Sequence, residues 1–182
     1  MKARLVTIII CTAILFASCS DMSSAKHSDN YRSYYEIFVR SFYDSDGDGI
    51  GDLKGVTNKL DYISKDLGTD GIWLMPIMPS PSYHKYDVTD YYAIDPQYGT
   101  MDDFDELMQE TDKRDIKVVI DLVVNHTSDM MPWFRKAVEG LWDGEENEYT
   151  HYYNFTTEYS GSGFTKITDQ YYYEARFSPD MP

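Results

Sequence analysis

Only two cysteines are present, Cys11 and Cys19, and none follows Cys19. An internal disulfide beyond that point is therefore excluded. Basic side chains are also scarce. Sixteen Lys and Arg stand against 31 Asp and Glu, giving a formal charge of −15. A phosphate backbone needs a positive field, so nucleic acid is excluded as a partner. Neutral polysaccharides and divalent cations stay compatible with this charge, and most of the carboxylates read as a solvating surface. Long apolar runs are missing as well. The run at the start, residues 5–16, is too short to span a membrane. Lys2 and Arg4 lie at its head, and Leu15-Phe16-Ala17-Ser18-Cys19 closes it. Residues 1–18 thus read as a signal peptide, with an end that resembles a bacterial lipoprotein processing site and Cys19 as the acylated residue. Cleavage near Ser18 or Ser20 with free secretion is the alternative. Either way the protein is expected outside the cytoplasm, secreted or anchored at the cell envelope, and in the anchored case a lipid on Cys19 is its one membrane contact.

Aromatic residues, by contrast, are abundant, with 17 Tyr alone. Rings stack well on the apolar faces of sugars, but they also fill cores, and composition by itself favours the core. Residues 19–30 are small, polar and aperiodic, and read as a tether. The pattern changes at Tyr31. Residues 34–43 are aromatic and β-branched and predict a buried strand. Val56, Leu60, Ile63 and Leu67 then recur at helical spacing, with Gly68 in the C-cap position. Residues 71–75 predict a second strand, ended by Pro76, and a long loop follows to Gly99. Thr100 and Asp103 form a capping-box pattern, ahead of an apolar face of Phe104, Leu107 and Met108. Residues 116–124 are almost continuously apolar and predict a parallel strand buried on both faces. Strand, helix, strand, helix, strand implies a parallel α/β fold, which could be a doubly wound sheet or a (β/α) barrel. Past Asn125 the alternation stops, and a helix over residues 133–141 is the last clear element. The chain ends at Pro182 without a closing element, which reads as an interrupted domain.

Three segments carry chemistry. In Asp44-Ser45-Asp46-Gly47-Asp48-Gly49-Ile50-Gly51-Asp52, alternating Asp with Gly at the turns converges oxygens on one hard cation. An EF-hand is excluded, because the twelfth position is Gly55 and a strand, not a helix, precedes the segment. The expected calcium ligands are Asp44, Asp46, Asp48 and Asp52 with the Ile50 carbonyl. Without a cation these charges repel one another, and the alternative is a solvated acidic turn. Asp121-Leu122-Val123-Val124-Asn125-His126 places a carboxylate, an amide and an imidazole at the C-terminal end of a strand, where active sites form in parallel α/β folds. A satisfied hydrogen bond at the strand end is the plain reading of any one of these residues. The third segment, residues 83–92, clusters His84, Tyr86 and Asp87 in the loop after the second strand, either as a sugar-sized slot or as an aromatic-packed loop.

Together these segments resemble the α-amylase family, glycoside hydrolase family 13. The resemblance runs through residues 35–42, the 44–55 loop, Gly71-Ile72-Trp73-Leu74-Met75-Pro76-Ile77, residues 84–99 and residues 121–126, in order and in spacing. It implies a (β/α)8 TIM barrel cut to about its first three strands over residues 31–127, with residues 128–182 beginning the inserted domain B. It implies an α-glucan (starch or maltodextrin) substrate and a retaining mechanism. Tyr86 would stack on the sugar before the cleaved bond, and His84 and His126 would bond its hydroxyls. Asp87 would grip the sugar as in exo-acting relatives. Asp121 would orient an active-site Arg, and Asn125 would hold a second calcium in members that have one. Lys85 stands where the family commonly has Gly. The nucleophile and the acid/base would lie beyond this chain, so the chain alone would be inactive. Within that resemblance the Tyr83-His84-Lys85-Tyr86-Asp87 loop leans towards α-amylases and cyclomaltodextrin-degrading enzymes and away from oligo-1,6-glucosidases, with neopullulanase and exo-acting α-glucosidase as alternatives. A rival of another class is a non-catalytic module that binds calcium and glucan.

Overall fold

The computed structural model describes residues 31–159, 161, 163–175 and 177. The signal peptide and the whole tether, Cys19 included, lie outside them. From Ser33 onward the chain clusters as one unit. Its framework is a parallel sheet of β1 (Tyr34–Ile37), β2 (Gly71–Leu74) and β3 (Lys117–Ile120), in that order. Tyr34 pairs with Gly71 and Gly71 with Lys117, and the register runs unbroken to Ile37, Leu74 and Ile120. A Cβ on Gly71 would stand 2.5 Å from the Tyr34 ring, which would have to shift to admit it.

Helices cover only one face of this sheet. Ile37, Ile72 and Leu74 are buried there with Val56, Leu60, Ile63 and Leu107. Each such side chain contributes about 1.5–3 kcal/mol by leaving water. The other face presents Glu36, Trp73 and Val119, which are aligned by the register and exposed. β3 therefore alternates between half-buried and exposed positions. This corrects the expectation of a strand buried on both sides: nothing among the described residues packs on its second face.

Two more expectations change. The segment 34–43 is a strand only to Ile37, after which Val39–Phe42 forms a single helical turn, α1. That turn is held from outside, because the Gly51 N–H donates to the Arg40 carbonyl at 2.7 Å. The helix anticipated over Val56–Leu67 is α2 (Leu53–Asn58) followed by a π-helical turn at Tyr62–Asp66. Its apolar stripe is nonetheless real, since Val56, Leu60 and Ile63 are fully buried, although Leu67 is 41% exposed. Gly68 takes the expected left-handed conformation, φ 70°. In α3 (Met101–Lys113) the Thr100–Asp103 capping box forms in both directions, worth about 1 kcal/mol.

Beyond β3, α4 (Pro132–Asp143) ends at Gly144 with φ 74°. A 3-10 turn at Glu148–Tyr152 leads into an antiparallel sheet of β4 (Phe155–Thr156), β5 (Phe164–Lys166) and β6 (Tyr172–Glu174), with β6 in the centre. Met131, Phe134 and Tyr173 form a second core there, joined by Trp133, Tyr153 and Phe155. Phe134 meets Tyr153 and Tyr173 edge-on at 5.0 and 5.1 Å. Here the aromatics do fill a core.

Candidate functional site

The site is built at the C-terminal ends of the parallel strands. Bonding continues past the strand ends: the Met75 N–H donates to the Ile37 carbonyl and the Asp121 N–H to the Leu74 carbonyl. Asp121 is thus fixed in backbone position directly after β3. Its carboxylate accepts a hydrogen bond from the Tyr86 hydroxyl at 2.6 Å. Burial, then this carboxylate, pushes the Tyr86 phenol up to about 12, so it stays a donor. His126 is buried and its Nε2 lies 3.1 Å from the Tyr86 carbonyl, while its Nδ1 lies 3.4 Å from the Asn125 amide nitrogen. Both contacts suit a neutral ring that is protonated on Nε2.

The loop between β2 and α3 carries the other side chains. The His84 Nδ1 accepts from the Tyr86 N–H at 3.1 Å, which leaves Nε2 as the protonated nitrogen. Asp87 is buried and accepts from the hydroxyls of Ser80 and Ser82. The loop is pinned by Thr89 N–H to the Pro79 carbonyl, Asp95 N–H to the Ile77 carbonyl and Ser128 N–H to the Val88 carbonyl, each at 2.8–2.9 Å. The structure therefore gathers Tyr86, Asp121 and His126 into one bonded group, with His84 and Asp87 tied to it through the loop. No local pattern pointed to Ser80, Ser82 or Asp95, because their partners are set by the loop's path and not by spacing.

Burial holds the His126 imidazole below its ordinary 6.5, partly offset by the Tyr86 carbonyl. The folded protein then binds fewer protons here than the unfolded chain. Its stabilisation is full above 6.5 and is lost as pH falls below that value. Melting followed from pH 8 to 5 should show this acid-side loss, and His126→Gln should flatten it. An unchanged slope in the variant would contradict this assignment.

The acidic loop is folded on its own backbone. Asp44 accepts from the N–H groups of Asp46, Gly47 and Gly49. Those of Gly49 and Gly47 hold its carboxyl below the ordinary carboxylate value. Gly47 and Gly49 have φ of 86° and 91°, which a side chain would strain. One carboxylate oxygen from each of Asp44, Asp46 and Asp48 lies within 4.8 Å of the others. These are hard oxygen donors converging from a turn, with Asp46 and Asp48 exposed and Asp44 half-buried, and the set fits a partly hydrated calcium ion. Asp52 does not join them. Its carboxylate caps α2, accepting from Gly55 N–H at 2.6 Å and from Ser45 N–H at 2.9 Å. Ile50 packs its side chain on the main core, and its N–H donates to Asp48. Asn125 is exposed and lines an open cavity of about 510 Å3 with Tyr91, His126, Trp133, Asn154 and Glu174. Among the described residues no second cluster of three His, Cys, Asp or Glu ligands forms.

Residues 36–177 match the family described as alpha amylase, catalytic domain. Alpha-amylase 3 of Dictyoglomus thermophilum is 49% identical over 82% of this chain and 29% of its own length. An oligo-1,6-glucosidase of Bacillus cereus is 43% identical over 81% of the chain and 28% of its own. The solved structure of Amy13B from Eubacterium rectale superposes with a TM-score of 0.80 at 56% identity, covering 85% of this chain and 31% of that one. The chain thus spans about a third of the length of these relatives.

Proposed function

We infer what this chain contributes from its family: it belongs to the α-amylase family of glycoside hydrolases, and its three parallel strands are the first part of that family's (β/α)8 barrel. From that premise we propose that it supplies the sugar-contacting and calcium-binding N-terminal part of a retaining, α-amylase-type hydrolase of α-1,4-glucans. The observation that carries this reading is the Tyr86–Asp121–His126 group at the C-terminal ends of the strands. An aromatic ring held by a carboxylate, beside two imidazoles, offers a stacking surface and hydroxyl-binding groups for one pyranose. His84 would donate through Nε2, Asp87 would grip the sugar, and Asp121 would hold Tyr86 and an Arg supplied from elsewhere in the full-length protein. Asn125 would serve a second calcium shared with the segment after β3.

Neither carboxylate of the double displacement is assigned here. Asp121 follows the third strand and is bonded to Tyr86, so it orients and does not attack. The 182-residue chain alone is expected to be inactive. A second reading, cleavage of α-1,6 linkages, is favoured by the oligo-1,6-glucosidase relative, whose identity is close to that of the α-amylase. Reducing ends released by the full-length protein from soluble starch and from isomaltose separate the two. Faster cleavage of starch supports the α-amylase type, and activity on isomaltose alone overturns it.

Asp44, Asp46 and Asp48 would hold the calcium, and its chemistry would be structural, neutralising the loop that packs on α1 and caps α2. The N-terminal pattern supports export and acylation of Cys19. Replacing Cys19 by Ser should move the protein from the membrane fraction to the soluble fraction. An unchanged distribution would contradict acylation.

A further inference from the structure

We propose that Lys85 is a positioning residue whose buried ammonium holds His84, Tyr86 and Asp87 in their sugar-facing arrangement, an inference that rests on the α-glucan reading above. Lys85 is 2% exposed, lies between two site residues, and has φ 66°. L side chains enter that left-handed region only at an energetic cost, and long ones rarely do. A lysine is also among the residues least often fully buried. Both penalties at one residue demand a compensating set of contacts.

The contacts are present and complete. Nζ lies 2.7 Å from the Asp95 carboxylate and donates to the Gln97 side-chain oxygen at 2.9 Å and to the Ser80 carbonyl at 3.3 Å. Three N–H groups thus meet three acceptors. The ammonium also stands 5.5 Å from the centre of the Tyr98 ring, which is fully buried. Asp95 is nearly buried too, and accepts from the Ser80 and Gln97 N–H groups.

This arrangement decides where the neighbouring side chains point. Lys85 turns inward through the left-handed residue, so His84 and Tyr86 are displayed together, close enough for the Tyr86 N–H to reach the His84 ring. Ser80 is the hinge of the anchor: its carbonyl accepts from Lys85 while its hydroxyl donates to Asp87. Without the ammonium, Asp95 would be a buried charge without a cation, and the loop would open to hydrate it.

The test compares variants of the full-length protein. Lys85→Met should lower Tm and cut kcat/KM on soluble starch about 100-fold, the scale of a displacement near 1 Å in a site. The pair Lys85→Gly with Asp95→Asn removes both charges and the left-handed strain. It should regain most of the lost Tm while kcat/KM stays at least about tenfold below the unsubstituted protein. Recovery of both Tm and kcat/KM in the pair would reduce Lys85 to a stabilising residue and overturn the proposal. A readout independent of turnover is the 15N spectrum of the His84 ring, assigned by its loss in His84→Gln. One tautomer, protonated on Nε2, is expected in the unsubstituted protein and an averaged ring in Lys85→Met, whereas an unchanged ring would also overturn the proposal. If the unsubstituted protein cleaves no α-glucan, the α-glucan reading falls, and the His84 spectrum decides the role of Lys85 by itself.

Discussion

Asp121→Ala in the full-length protein is expected to lower kcat/KM on soluble starch by about 100- to 1000-fold. The folded state should survive the change. Asp121 is partly exposed, and its backbone N–H keeps its bond to the Leu74 carbonyl whatever the side chain. What is lost is the acceptor 2.6 Å from the Tyr86 hydroxyl. Tyr86→Phe removes the same bond from the other side and leaves Asp121 in place. A hydrogen bond to a charged group contributes about 1.5–3 kcal/mol, so this variant should lose about 10- to 100-fold. The comparison is informative in either direction. A larger loss for Asp121→Ala means that the carboxylate serves a second group, as expected if it orients an Arg. Equal losses would confine it to holding Tyr86. Full activity in both variants would remove the group from the site.

The second large effect concerns the acidic loop. EDTA should lower the Tm of the calcium-loaded full-length protein by about 2–3 °C, the shift that about 2.7 kcal/mol of binding at 100 times Kd gives in a chain roughly three times this length. Asp46→Ala with Asp48→Ala should melt at the same temperature with and without chelator. The loop lies against structural elements and so transmits its order. A Cβ on Gly51 would stand 2.0 Å from the Val39 carbonyl oxygen, and one on Gly55 2.0 Å from that of Tyr43. Asp52→Ala is the control. It should destabilise by about 1 kcal/mol through the lost cap of α2 while leaving the chelator response intact. If Asp52→Ala abolished the response, the cation would sit deeper in the loop than the three converging carboxylates indicate.

Local rules carried the sequence reading where a single turn or cap decides the structure. The Thr100–Asp103 box, the left-handed Gly68 and the first buried positions of α2 all lie within one turn of their partners. Spacing and composition mislead where distant contacts decide. Val39–Phe42 carries the same apolar and aromatic side chains as a strand, and becomes a helical turn beside the bond from Gly51 to Arg40. Lys117–Ile120 is apolar enough for two buried faces, yet the described residues cover only one. β4, β5 and β6 have two or three residues each, too short to show a period of two. At the site, His84, Tyr86, Asp87, Asp121 and His126 were legible as chemistry-bearing residues and do come together. Asp52 was assigned to the cation because it continues the Asp spacing, and the structure shows its carboxylate capping a helix outside the group of Asp44, Asp46 and Asp48. Lys85 could be seen only as an odd residue in its position. Its reason lies ten and twelve residues away, in Asp95 and Gln97.

The most direct test of the central claim is the anomeric configuration of the first products that the full-length protein releases from soluble starch, followed by 1H NMR before mutarotation. The expected products are α-anomeric maltooligosaccharides, the outcome of a double displacement that retains configuration. Products of β configuration, or no cleavage of starch at all, would contradict it.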